Sequence, residues 1–322
     1  MRLARRLVFA VLILLAGGAP AAAERLRLVL DGAYGPQHVP ILTAEVRGHF
    51  ARAGIELLVE PGLGANMVTV LVGQRAFDLG HVPAHAAASA ISRGAPIRMV
   101  AIYQPHSALA LVGLKERVRI DGAKSVEGLR VGIAPGTVDT VALALFRRAH
   151  GIGTSTLTVI PTDRTTKLAD LVEGRFDLVM GDGVAMRAAL QAQGLEAVVM
   201  DLAEHGVKLQ GFGFIAHQAL LSENPGLARR ALLALQAGFV DAAADPQGAC
   251  AQARARYAVA ETDEGCTAAL RIFLETLAPP GAPHWGRQSP EAWLQMIEAM
   301  RAAGEVQGTR PPSFYFTNAV AP

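Results

Sequence analysis

The feature that most limits the fold of this chain is the alternation of short, strand-like apolar runs with longer segments of helical periodicity. Leu26–Leu30 predicts a first strand and about Pro40–Arg52 a first helix, and the pattern returns later in Arg130–Ala134 and Thr137–His150. From Pro225 onward the periodicity is nearly all helical. Alternation of this kind favours an α/β fold.

The length of the chain favours two domains rather than one. It has 322 residues, of which 51% are hydrophobic and 18% charged, so a large packed core is expected. Crossing segments are predicted near Gln104–Leu114 and near Gln210–Ala216. We therefore expect lobe 1 to consist of residues 24–108 and 213–322, including the C-terminal helices, and lobe 2 of residues 109–212.

The first 23 residues have the three-part layout of a secretory signal. Three arginines within the first six residues precede the apolar run Leu7–Ala16, and Ala21 and Ala23 have the spacing that signal peptidase prefers. A transmembrane anchor is the alternative, but it needs about twenty apolar residues, more than this run supplies. We expect cleavage after Ala23 and a periplasmic mature chain that starts at Glu24.

The charge balance argues against a nucleic-acid partner. The formal net charge of +2 includes three arginines of the leader, and without them 27 basic residues face 28 acidic ones. The sequence also lacks a stripe of Lys and Arg interleaved with aromatic residues, which is typical of nucleic-acid binding. We expect a monomer whose ligand is a small molecule.

The two cysteines, Cys250 and Cys266, both belong to the mature chain. In an oxidising compartment such a pair commonly forms a disulfide. Two buried free thiols are the alternative. Two cysteines this far apart do not predict a zinc site.

In open α/β sheets, ligands bind beyond the carboxyl ends of the strands, where loops lead into helix N-termini. Tyr34 and Tyr103 fall on such loops and are candidates for stacking on a flat ligand. Gln37 and Gln104 are candidates for hydrogen bonds, because an amide both donates and accepts. The alternatives are aromatic residues that only pack their loops and glutamines that lie in solvated turns.

Three histidines, His38, His81 and His85, raise the question of a metal site. Neither a histidine-rich loop nor a carboxylate partner accompanies them in the sequence, so we expect no metal. A hydrogen bond to ligand is the functional prediction for His38 and His81, and packing is the alternative. His85 falls inside a predicted helix and is expected to be structural.

Turns that begin helices offer further candidate contacts. Gly64 permits close approach of a ligand to the backbone, and Asn66 contacts ligand or caps its helix. Gly136 and Thr137 repeat this arrangement in lobe 2. Asp182 follows a predicted strand and accepts a hydrogen bond either from a ligand N–H or from its own helix.

The order of these features resembles a known family. The similar segments are VRGHFARAGIELLVEPG after Gln37 and His38, VLVGQRAFDLG, ISRGAPIRMVAIYQPHSALALVGLKE and SVEGLRVGIAPGT. Together they resemble the periplasmic binding proteins for thiamine pyrimidine precursors, alkanesulfonates and nitrate. The similarity runs from about Leu26 to Gly183 and more weakly to about Pro246.

This resemblance implies a type II periplasmic binding protein fold, with two α/β lobes that close on a ligand. It also implies delivery of the ligand to the inner-membrane permease of an ABC importer, with no cofactor. The loop contents favour a pyrimidine-like or other nitrogen heterocycle, and an aliphatic sulfonate, taurine or nitrate is the alternative. Of the Pro-Asn-Thr-Asn-His stretch of the pyrimidine-binding members, only His38 matches here. The cysteine-rich motif of the yeast pyrimidine synthases is absent.

An enzyme of the same fold is the competing class, since relatives include a desulfinase with a cysteine nucleophile. Both cysteines of this chain fall in predicted C-terminal helices, away from the strand-end loops. The sequence also contains no GxSxG motif. We therefore expect a binding protein without a nucleophile–base pair in its cleft.

Overall fold

The computed structural model describes residues 23–322 except 136, 164 and 260. The predicted signal peptide, apart from its last residue, and Gly136 therefore lie outside the described residues. Within the described part of the chain, none of the helices combines the length and hydropathy needed to cross a bilayer.

Ten strands form two sheets within the described residues. They are β1 (Glu24–Val29), β2 (Ile55–Glu60), β3 (Leu79–Pro83), β4 (Ile97–Ile102), β5 (Leu109–Leu114), β6 (Arg130–Ile133), β7 (Thr158–Pro161), β8 (Leu178–Asp182), β9 (Ala197–Asp201) and β10 (Phe212–His217). The first sheet has the order β2-β1-β3-β10-β4 and the second the order β7-β6-β8-β5-β9. In each sheet one strand runs antiparallel to two parallel neighbours: β10 lies between β3 and β4, and β5 between β8 and β9.

The helices lie between and after these strands. They are α1 (Val39–Val46), α2 (His49–Arg52), α3 (Ala65–Gly73), α4 (Ala84–Ser92), α5 (Val138–His150), α6 (Lys167–Val172), α7 (Gly183–Ala192), α8 (Gln218–Glu223), α9 (Pro225–Ala244), α10 (Pro246–Arg256), α11 (Asp263–Leu274) and α12 (Pro290–Ala302). Side-chain caps start several of them: Thr262 accepts from the Gly265 N–H, and Ser289 from Glu291 and Ala292. The sequence analysis missed α8, a short helix that His217 caps.

The predicted crossing segments, near Gln104–Leu114 and near Gln210–Ala216, each contain part of a loop and part of a strand. Leu109–Leu114 is strand β5, and Phe212–Ala216 belongs to β10, each inside a sheet. All six residues of β5 are buried, because it has a strand on either side and helices over its faces. The chain instead changes sheet in the loops 103–108 and 202–211, and we propose to place the lobe boundaries there.

The C-terminal helices pack mainly on lobe 1, where α9 lies against α1. Helix α11 is different, because it contacts the turn Pro36–His38 of lobe 1 and also α7 of lobe 2. A disulfide between Cys250 of α10 and Cys266 of α11 joins these two helices, with Cα atoms 6.0 Å apart. Helix α11 is therefore covalently tied to the lobe 1 side of the molecule.

We expect the Cys250→Ala, Cys266→Ala double variant to be less stable than the wild type by about 3 kcal/mol, since the bridge closes a loop across 16 residues. Urea unfolding of both proteins under oxidising conditions measures the difference in free energy of unfolding. Adding a reductant is expected to destabilise the wild type by the same amount and to leave the variant unchanged. Equal stability of the two oxidised proteins would contradict the prediction.

Candidate functional site

A cavity of about 770 Å³ lies between the two lobes. Lobe 1 contributes residues at or near the ends of β1, β3 and β4. Lobe 2 contributes residues at the starts of α5 and α7. The C-terminal region contributes Gly265, Ala269 and Phe273 of α11. Pockets that hold small organic ligands have volumes of roughly 300–1,000 Å³. The cavity is therefore the candidate ligand site.

A chain of hydrogen bonds forms the lobe 1 floor of this cavity. Asp31 lies just beyond β1, and its Oδ1 is 2.8 Å from Nε2 of His38 and 2.8 Å from Nδ1 of His81. The Gly35 N–H donates to Nδ1 of His38 at 3.3 Å, so that His38 donates from Nε2 to the carboxylate. On the other side, His81 donates from Nδ1 to Asp31 and accepts from the Tyr103 hydroxyl at Nε2.

The protonation states of this chain follow from burial and from these hydrogen bonds. Burial alone would raise the pKa of Asp31, but the donors His38 and His81 hold it far below its usual value. Burial lowers the pKa of His81 against the opposing effect of Asp31. Burial, with the Asp31 charge, raises the pKa of Tyr103 well above 10. At neutral pH Asp31 is thus an anion, and His81 and Tyr103 are neutral.

The same three side chains have the composition of a metal site. One ligand atom from each of Asp31, His38 and His81 lies within 4.8 Å of the others. The expectation that no carboxylate accompanies the histidines is therefore wrong. The hydrogen bonds nevertheless favour a hydrogen-bonded cluster over a metal site. Since Nδ1 of His38 accepts from the Gly35 N–H, the proton of the neutral ring is on Nε2, the nitrogen that faces Asp31. A metal-bound nitrogen must be unprotonated.

Three aromatic residues line the cavity, Tyr103, Phe212 and Phe273, and of these Phe212 is the most exposed. The partly exposed Phe212 ring lines the cavity and stacks on His81, with ring centres 4.9 Å apart. Tyr103 is fully buried between His81 and Trp285, so that it holds His81 in place. Tyr34 does not line the cavity, because its hydroxyl donates to the Val59 carbonyl and its ring packs on Tyr257. Its position does not support the predicted stacking role.

The predicted polar contacts of lobe 1 divide into two groups. Gln37, Gly64 and Asn66 line the cavity, and Gly64 has the positive φ of 103° that only glycine adopts readily. Its N–H donates to the Asp31 carbonyl at 2.8 Å, which joins the two loops. The Gln104 amide, although it lines the cavity, is used within the protein: it donates to Thr276 and accepts from the Phe212 N–H.

The three predicted histidines also have different positions. His81 lines the cavity, whereas both ring nitrogens of the fully buried His38 have partners within the protein. Nε2 donates to Asp31 and Nδ1 accepts from the Gly35 N–H, so that His38 is a positioning residue. His85 was expected to be purely structural, but it lies in the first turn of α4 and lines the cavity. Burial lowers its pKa to about 4, so it is neutral at pH 7.

In lobe 2, Thr137 and Asp182 both line the cavity and cap the helices that begin there. Oδ1 of Asp182 accepts from the backbone N–H groups of Val184 and Ala185, at 2.9 and 3.0 Å. Its carboxylate is exposed in the cleft. The surrounding protein raises the pKa of Asp182 through desolvation, and the Asp31 charge raises it further against the backbone donors.

An ion pair that sequence reasoning did not anticipate completes the lobe 2 wall. Nζ of Lys167 lies 3.2 Å from Oδ2 of the buried Asp139 and 2.7 Å from the carbonyl oxygen of Met180. The lysine thus forms an ion pair with Asp139, and its charge also acts to lower the pKa of Asp182. Asp31 of lobe 1 and Asp182 of lobe 2 both line the cavity.

The sequence of this chain is similar to a known family and to curated proteins. Residues 35–249 match the family described as NMT1/THI5 like. The riboflavin-binding protein RibY of Chloroflexus aurantiacus is 24% identical over 95% of this chain and 90% of its own. The 4-amino-5-hydroxymethyl-2-methylpyrimidine phosphate synthase of Uromyces fabae is 22% identical over 71% of this chain and 70% of its own.

Among solved structures, the periplasmic aliphatic sulphonate binding protein SsuA from Escherichia coli superposes with a TM-score of 0.73. The two sequences are 13% identical, over 91% of this chain and 92% of that one. The periplasmic binding protein fold expected from the sequence is therefore confirmed. Since the family match covers most of the sequence, the chain belongs to the NMT1/THI5-like family.

Proposed function

We propose that this protein is the extracytoplasmic solute-binding component of an ABC importer and that it captures a nitrogen heterocycle between its lobes. The observation that carries the proposal is the lining of the cavity. It combines the Phe212 ring with the carboxylates of Asp31 from lobe 1 and Asp182 from lobe 2. A flat ring stacks on the aromatic face, and ring N–H or amino groups donate to the carboxylates. The riboflavin-binding relative supports a heterocyclic ligand.

The charge of the cavity favours a heterocycle over a sulfonate, which is the alternative that the likeness to SsuA raises. A sulfonate needs charge-assisted donors. Of the cations that line the cavity, Lys167 is already paired with Asp139, and Arg93 donates to the Ser89 hydroxyl. Asp31 and Asp182 would repel an anion at the centre of the cavity.

An enzyme is the second candidate class, because one curated relative is a synthase and because the cavity floor contains a nucleophile–base pair that the sequence analysis did not expect. Tyr103, His81 and Asp31 are linked in the order of a nucleophile, a base and an orienting carboxylate. The Tyr103 side chain is 0% exposed, however, and its pKa is raised rather than lowered. The cluster therefore supports a rigid binding floor better than nucleophilic catalysis.

The ligand class is tested by titration calorimetry of the purified mature protein with pyrimidines and riboflavin on one side and with taurine and alkanesulfonates on the other. We expect at least one heterocycle to bind with micromolar or tighter affinity and the sulfonates to show no heat. Mass spectrometry of ligand released from natively purified protein identifies the compound directly. Micromolar binding of a sulfonate with no response to any heterocycle would contradict the proposal.

The stacking role of Phe212 is tested by the Phe212→Ala variant. We expect it to lose about 1 kcal/mol of binding free energy for a heterocycle, because an aromatic stacking partner is removed. Phe314→Ala is the matched control, since Phe314 is also partly buried but packs near Arg98 outside the cavity. Equal losses in the two variants would mean that the effect is not specific to the cavity.

Export is tested by intact-mass analysis of periplasmic extract from cells that express the full chain. We expect a chain that starts at Glu24, because the apolar run of the leader is followed by Ala21 and Ala23 at signal peptidase spacing. The control replaces Ala21 and Ala23 by bulky residues, which is expected to block cleavage. A full-length chain retained in the membrane fraction of wild-type cells would contradict the prediction.

A further inference from the structure

Asp31 of lobe 1 and Asp182 of lobe 2 both line the cavity and are bound in a similar way. Each has one oxygen committed to the protein: Oδ1 of Asp31 accepts from two histidines, and Oδ1 of Asp182 accepts from two backbone N–H groups. The second oxygen of each carboxylate has no hydrogen-bond partner among the described residues. Both side chains line the cavity. Two fixed acceptors from different lobes thus face one space.

Within the described part of the chain, neither carboxylate forms an ion pair with a lysine or an arginine. Lys167 is paired with Asp139, and Arg93, which also lines the cavity, donates to the Ser89 hydroxyl. His81 and His85 are neutral at pH 7 because burial lowers the pKa of each. Desolvation and the Asp31 charge raise the pKa of Asp182, and the Lys167 charge opposes them.

We propose that Asp31 and Asp182 form a two-lobe clamp for a positively charged nitrogen group of the ligand, an ammonium or an amidinium. The inference rests on the proposed binding function and names the charge of its ligand. A cation with two or more N–H donors bonds both free oxygens at once, and charge-assisted bonds of this kind are about twice as strong as neutral ones.

The clamp also gives the ligand a preference for the closed arrangement of the lobes. Without a cation, closure brings two carboxylates toward each other, which is unfavourable. With a cation between them, the repulsion becomes attraction, and both carboxylates contact the ligand only when the lobes are together. A ligand shifts a conformational equilibrium by its differential affinity for the two states. The clamp supplies such a difference.

Three probes of similar size and different charge test the clamp: benzamidine and benzamide, which have the same planar shape, and benzenesulfonate. Each is a single ring with one planar or compact substituent, cationic, neutral or anionic. In calorimetric titrations of the mature protein we expect benzamidine to bind at least about tenfold more tightly than benzamide, since charged hydrogen bonds contribute more than neutral ones. Benzenesulfonate is expected to bind more weakly than both.

The Asp182→Asn variant removes the charge and keeps the helix cap, because an asparagine oxygen still accepts from Val184 and Ala185. We expect it to lose the preference for benzamidine over benzamide, because the attraction between opposite charges is removed while the asparagine oxygen still accepts from either probe. Asp201→Asn is the matched control: Asp201 also ends a lobe 2 strand and accepts a backbone N–H, from Ala203, but does not line the cavity. It is expected to behave as the wild type.

The outcomes separate the clamp from the proposed function. If rings bind without preference for the cation, or if Asp182→Asn retains that preference, the clamp is wrong and the binding function stands. If none of the three probes and none of the heterocycles binds, both are wrong. A cation preference that Asp182→Asn abolishes and Asp201→Asn preserves supports the clamp.

Discussion

The binding floor depends on the Asp31 carboxylate and the two histidines that donate to it. A charge removed from water is costly unless it is hydrogen-bonded, so Asp31 requires both donors. Each donor in turn requires its own partner: the Gly35 N–H fixes the ring of His38, and the Tyr103 hydroxyl that of His81. Tyr103 then packs on Trp285. One buried anion thus connects the first loop of the chain to the C-terminal region.

The repeated topology of the two sheets explains why the site lies where it does. In both, parallel strands end at the edge that lines the cavity, and helices begin there. Lobe 1 places Asp31 and the Gly64 turn at this edge, and lobe 2 places Thr137 and Asp182 there. The cavity is a consequence of two similar sheets whose carboxyl ends meet.

Sequence reasoning located the loops of the site better than its contacts. The positions of Thr137 and Asp182 at the starts of helices were predictable, because a capping residue follows a strand at a regular position and its preference depends on local chemistry. Phe212 was missed because its exposure depends on β10 inserting between β3 and β4, a long-range pairing. The Lys167–Asp139 pair spans two helices and leaves no local pattern. The packing of Tyr34 on Tyr257 could not be predicted for the same reason, since Tyr257 lies far along the chain.

Helix α11 has a mechanical consequence for any opening of the cleft. It contacts α7 of lobe 2, yet the disulfide at Cys266 binds it to α10. Because the bridge holds α11 on the lobe 1 side, any separation of the lobes has to change the contact between α11 and α7. Where these two helices line the cavity their side chains are small: Ala185 and Ala188 on α7, and Gly265 and Ala269 on α11. Short side chains interlock little, which suits a contact that a shear movement of packed helices can alter.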